Sequence, residues 1–283
     1  MTQKLKLKAS ARQRMITRTL TGLLLASAAL LPLSAQAHRG WILPAATTLS
    51  SDDAWVTFDA AISNDIFHTD YAPMRLASLT VTGPDGEPVT VHNAHTGKYR
   101  STFDLNLLER GTYRITSNNA GVMATWEENG ERKRWRGDAA GLDGAVPDNA
   151  ENVQITEFSR RLETFVTAGA PDNTVFDGDR AGLTLQPETH PNDLFDTETA
   201  RFRFLIDGEP AEGVEIEVIP AGMRYRNQQA MQTLTTDKEG YVAITWQGAG
   251  MYWLGASYGD DRSSIPGARR NASYSGTFEV LPE

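Results

Sequence analysis

Short runs of β-branched and aromatic residues, each closed by a glycine, proline or aspartate turn, recur along the chain after residue 37. They occupy residues 55–58, 79–82, 99–103, 112–116, 162–166, 202–206, 214–219, 241–246, 251–256 and 274–280. Turn signals such as Gly83-Pro84-Asp85-Gly86, Asp207-Gly208 and Asp237-Lys238-Glu239-Gly240 separate them. No long apolar stripe of helical period follows residue 37, and strands do not alternate with helical segments. Many short strands with these breaks predict an all-β chain of sandwiches, not a doubly wound parallel sheet.

The strongest local signal is Asn129-Gly130, set between Thr125-Trp126-Glu127-Glu128 and Glu131-Arg132-Lys133-Arg134. Asn-Gly between strand-like runs predicts a type I′ hairpin, because both central residues must adopt positive φ. A hairpin over residues 123–136 would set Glu127 opposite Arg132 and Trp126 opposite Lys133. Arg132, Arg134 and Arg136 would then share one face, a strip that could meet an anion and that is ordinarily a solvated surface.

The first 37 residues have a different character. Lys4, Lys6, Lys8, Arg12, Arg14 and Arg18 form a basic region without an acid, and an apolar stretch over 20–33 follows. That stretch falls short of the roughly 20 apolar residues of a membrane span. Ala35-Gln36-Ala37 then supplies a small-x-small cleavage site. The pattern predicts a signal peptide over 1–37, cleavage after Ala37, and a periplasmic product with no membrane span. Of 27 Lys+Arg, removing these six leaves 21 against 36 Asp+Glu, a net charge of −15. Such an acidic surface argues against nucleic acid as a partner. The chain has no cysteine, so disulfides, thiolate metal sites and cysteine nucleophiles are excluded.

Two domains are expected after the signal. Residues 38–195 would form an immunoglobulin-like sandwich with long loops, including a loop over 137–152. A break near 186–199, carrying Pro187 and Pro191, would lead into a second sandwich over 196–283. The second resembles prealbumin-like or collagen-adhesin B-type domains through its Thr236-Asp237-Lys238-Glu239-Gly240 turn between two antiparallel strands.

Cleavage after Ala37 would make His38 the first residue, placing a free α-amine and an imidazole in one chelate ring. Their reference pKa values, about 8 and about 6.5, let a metal displace both protons near neutrality. Two such nitrogens plus a further histidine suit Cu(II) or Ni(II). His68, His92, His95 and His190 are the remaining histidines. His92 and His95 have the His-x-x-His spacing, but on a regular strand positions i and i+3 face opposite ways. His68 lies in a polar stretch with Asp65 and Asp70, and His190 lies at the expected interdomain break. No nucleophile elbow, zinc-protease helix, phosphate loop or dinucleotide fingerprint is present.

With these features assembled, the chain resembles domain-of-unknown-function family 4198. The resemblance rests on Ala37-His38, on Arg161-Leu162-Glu163-Thr164-Phe165-Val166-Thr167 and on the Gly182–Pro191 segment, and is completed by Asp207-Gly208-Glu209-Pro210-Ala211 and Gly250-Met251-Tyr252-Trp253-Leu254. It implies a periplasmic protein associated with transition-metal uptake, linked to an envelope transporter or receptor, and it supplies no catalytic residues. The function expected first is non-enzymatic binding or delivery of Ni, Co, Cu or Fe, free or complexed. His38 would be the primary ligand, with His68, His92 or His95 as a helper, and His190 is a further candidate for a ligand or an interdomain contact. One alternative is a copper oxidoreductase of the histidine-brace kind, resembling lytic polysaccharide monooxygenases. Another is a structural adaptor that docks an envelope transport component.

Overall fold

The period-two runs form strands, and the long ones are longer than the sequence signal suggests. In a computed structural model, residues 38–51 and 53–283 are described, and the expected export segment over 1–37 lies outside the described residues. The strands are, in chain order, β1 (Arg39–Pro44), β2 (Thr48–Leu49), β3 (Ala54–Ser63), β4 (Ala72–Pro73), β5 (Leu79–Thr82), β6 (His92–Thr96), β7 (Ser101–Leu107), β8 (Gly111–Glu128) and β9 (Glu131–Gly137). They continue as β10 (Glu151–Ala168), β11 (Leu183–Pro187), β12 (Thr199–Ile206), β13 (Glu209–Pro210), β14 (Glu215–Pro220), β15 (Gln232–Thr235), β16 (Tyr241–Thr245), β17 (Gly250–Asp260) and β18 (Arg269–Val280).

A nine-stranded sheet in the order β15-β14-β17-β18-β10-β8-β5 runs through the middle of the unit, with β9 paired to β8 and β2 to β10. Two smaller sheets cover it. One has five strands, β1-β3-β7-β6 with β4 on β3, and the other has four, β11-β12-β13 with β16 on β12. Side chains alternate across β10, so the two small sheets lie on its opposite faces. Leu162, Val166 and Ala168 point into a core with Ile42, Phe58, Phe103 and Ile115. Phe165 points the other way, into a core with Phe202, Phe204, Tyr274 and Phe278. The chain is therefore all-β, and each small sheet makes a β-sandwich with part of the shared large one.

Residue 195, the expected boundary, lies between β11 and β12, which are antiparallel neighbours. Strand β10 also pairs in parallel with β18, from Thr156↔Arg269 to Thr164↔Thr277. Residues His38–Glu283 form one compact unit.

The Asn129-Gly130 hairpin has the expected register, Glu127↔Arg132 and Trp126↔Lys133, with φ +53° and +77° at the two turn residues. The Thr236–Gly240 turn differs from expectation. Asp237 Oδ1 accepts from the Glu239 and Tyr241 amides, as a tight Asx turn requires. Yet the turn leads from β15, in the large sheet, to β16, in the four-stranded one. It is a crossover between layers, not a hairpin.

Candidate functional site

The start of β1 is fixed on several sides. Its register with β3, Arg39↔Ser63 through Pro44↔Phe58, puts the residues after Ser63 beside the residue before Arg39. The Trp41 indole N–H donates to Ser63 Oγ at 2.7 Å, and that hydroxyl donates to the Asp65 carbonyl at 2.6 Å. From the large sheet, the Trp253 indole N–H donates to the Gly40 carbonyl at 3.0 Å. The Arg39 guanidinium lies over the Trp253 ring and pairs with Glu217 at 3.3 Å. Beneath them Trp41, Ala61, Ile66, Ile219, Met223 and Trp253 form a small apolar cluster that ties β1 to β14 and β17. A Cβ at Gly40 would stand 2.7 Å from a Leu162 methyl, so β1 approaches β10 closely here and a larger residue would have to push Leu162 aside.

His38 is exposed, and its ring stacks on Tyr71 at 3.6 Å between centroids with an interplanar angle of 15°. Tyr71 ends the loop after β3, and His68 sits in the same loop. Phe67, immediately before His68, has φ +57°, a conformation that costs energy for a bulky residue. Its ring holds against Trp41 at 5.6 Å, edge to face. The Asp70 carboxylate closes the loop by accepting from the Asn64 amide at 3.0 Å. His68 Nε2 lies 3.1 Å from Arg224 Nη1. A guanidinium only donates, so His68 Nε2 accepts and its proton sits on Nδ1.

The other three histidines lie elsewhere. His92 and His95 are on β6, at the far edge of the five-stranded sheet from β1. Their facing differs from the strand rule, because a bulge inserts one residue: His92 pairs with Asp104 and His95 with Thr102. Asn93 takes up the irregularity at φ +50°. Both rings therefore share the exposed face with Asp104, and His92 meets the Trp55 ring edge-on at 5.2 Å. Hydrogen bonds from Thr57 and Asn93, aided by the His92 charge, hold the Asp104 carboxyl below its usual range.

His190 is half-buried and fully engaged. Its Nδ1 accepts from the Asn192 amide at 3.1 Å, so Nε2 carries the proton and donates to the Asp172 carbonyl at 3.0 Å. Burial pushes its pKa down, with Asp172 opposing. A ring with both nitrogens committed ties the segment after β11 to the Asp172 loop and, through the Thr112 hydroxyl 3.1 Å from Nε2, to β8, and it offers no lone pair to a metal.

A buried ionic cluster carries no sequence motif for chemistry. Arg161 and Glu163, adjacent on one face of β10, pair at 3.0 Å, and Arg161 also reaches Asp179 at 2.7 Å. Thr116 Oγ1 donates to Glu163 at 3.1 Å. Among the described residues, no three His, Cys, Asp or Glu side chains form a group that could hold a metal ion. A nitrogen-rich site at the β1 corner would have to add the main-chain amine of His38 to the His38 and His68 imidazoles. That donor set suits Cu(II) or Ni(II).

Residues 35–260 match a family model described as "Domain of unknown function (DUF4198)". The chain belongs to this family. No curated protein matches the chain. Among solved structures it is similar to the D0-D1 domain of intimin, at 12% identity and TM-score 0.21, covering 84% of this chain and 97% of that one. It is also similar to trypsin-activated alpha-2-macroglobulin from Escherichia coli, at 12% identity and TM-score 0.22, covering 85% of this chain and 15% of that one. Likeness to the human OSCAR ligand-binding domain is 11% in identity with TM-score 0.20, over 86% of this chain and 100% of that one. Overlaps this loose carry no argument about function.

Proposed function

We propose that this family member is an exported periplasmic protein that binds a transition-metal ion at an amino terminus created at His38, in the service of metal uptake and not of catalysis. The observation that carries the reading is the anchoring of residues 39–41 by Ser63, Trp253 and Glu217. A chain start held so firmly presents its first residue in one place, beside the loop that carries His68. Preorganised ligands bind more tightly because less freedom is lost on binding.

The His38 α-amine and imidazole would chelate the ion, and the His68 imidazole would complete the set once its Nε2 leaves Arg224. Tyr71 orients the His38 ring by stacking. Bound there, the ion would be cargo held by nitrogen donors. The acidic surface would favour a cation over an anion at long range.

The test combines the mature mass with calorimetry. Protein from the cell envelope should begin at His38 and bind Cu(II) or Ni(II) with one-to-one stoichiometry. His38→Ala should weaken binding by at least about tenfold, or ~1.4 kcal/mol. Equal affinity in the two proteins would reject the site.

A further inference from the structure

Beyond the β1 corner, the nine-stranded sheet carries a groove of about 670 Å³ where neither small sheet covers it, lined by β8, β9, β10, β14, β17 and β18. That volume falls in the range of small-molecule sites. Cross-strand partners share a face, so the register shows how the groove is built. One row runs Asn119, Arg160, Ser273, Ser257, Glu215 across five strands. The next runs Gly121, Phe158, Asn271, Gly259. The floor is thus small and polar between a phenylalanine on one side and a glutamate on the other.

The two walls carry opposite charge. On the β10 side, the Arg136 guanidinium lies 4.3 Å and the Arg160 guanidinium 5.9 Å from the centre of the Phe158 ring. Arg136 is held there by the Asn119 side-chain carbonyl at 2.8 Å. Gly121 makes this arrangement fit, since a Cβ would stand 3.1 Å from the Phe158 ring and 2.7 Å from the Gly137 carbonyl. Two guanidiniums gather on one ring with no carboxylate between them. On the β14 side stand Glu212 and Glu215, both exposed and with side chains that make no hydrogen bond or ion pair among the described residues. Arg160 likewise makes no ion pair. Cations and anions without ion pairs thus face each other across the trough.

We infer that this groove binds a small zwitterion of di- or tripeptide size, its carboxylate on Arg136 and Arg160 and its ammonium on Glu212 and Glu215. Three strand spacings separate Arg160 from Glu215, about 14 Å between backbones. The inward reach of both side chains narrows that gap, and two or three extended residues span about 7–11 Å. Planar guanidiniums match a carboxylate through paired hydrogen bonds. Ser257, Ser273 and Asn271 would meet the peptide groups, and the Phe158 ring would cover apolar atoms. The inference does not rest on metal binding at His38.

Calorimetry in chelator-treated, metal-free buffer tests it, with tri-alanine and its N-acetylated and C-amidated forms as probes. The free tripeptide should bind, and either cap should weaken binding at least about tenfold. Arg160→Gln and Glu215→Gln should each do the same while leaving the melting temperature unchanged, and His38→Ala should bind as the parent does. No binding of the free peptide at millimolar concentration would overturn the proposal. So would equal binding of the acetylated form, which would mark a plain anion site, or full affinity in both groove variants.

Discussion

At the scale of single residues, the most telling side chains are those whose chemistry is spent on structure. His190 illustrates this: it is a histidine at the sort of break where a ligand is expected, yet both its nitrogens bond main chain. Its pKa is lowered by burial from the ordinary 6.5, so the neutral ring is favoured in the folded state. The unfolded chain takes up that proton first as pH falls. The stability His190 provides is therefore complete above 6.5 and is lost as pH drops through the lower folded value. Urea midpoints should fall between about pH 7 and about pH 5, and His190→Gln should flatten that part of the profile. Identical profiles would contradict the assignment. Two tyrosines make a related point. Tyr113 bonds the amide and carbonyl of Glu109, and Tyr252 bonds the Gln247 amide and the Gly248 carbonyl, each tying a loop to the strand that follows it. Each has the hydrogen-bonding of a tyrosine corner, a hydroxyl bonded to backbone a few residues upstream. No sequence motif singled out either tyrosine, and only the fold shows that the hydroxyl turns back.

At the scale of elements, legibility followed locality. The Asn129-Gly130 turn and its register could be read directly, because the left-handed conformation at both residues is a local demand. Replacing both with alanine forces an unfavourable backbone costing about 1–2 kcal/mol per residue. Amide exchange in β9 should quicken roughly tenfold or more while amides in β12 keep their protection. Unchanged β9 protection would show that the turn does not hold the hairpin. Where the outcome depended on a neighbouring strand, spacing misled. The bulge at Asn93 turned His92 and His95 to one face, and nothing in their spacing encodes the partner register with β7 that makes the bulge. The Thr236–Gly240 turn was correctly seen as tight, but its role as a layer crossover depends on which sheets β15 and β16 join. The groove wall was likewise hidden, since Arg160 and Glu215 are brought into one row only through β18 and β17.

For the whole molecule, the organising feature is one long sheet shared by two sandwiches, with the small sheets on its opposite faces. That sheet brings β14 and β17 under the start of β1, and so places Trp253 and Glu217 where they can fix Gly40 and Arg39. All-β character was legible from residue patterns. The anchoring of Arg39 and Gly40 by Glu217 and Trp253 was not, because it joins residues about two hundred positions apart. The account turns on a free amine beside the His38 imidazole, next to the loop that carries Tyr71 and His68. A cleavable fusion whose release leaves His38 as the first residue isolates that amine, because titration with Cu(II) or Ni(II) before and after release changes little else. The account predicts affinity about 100-fold higher after release, or ~2.7 kcal/mol; equal affinity before and after would contradict it.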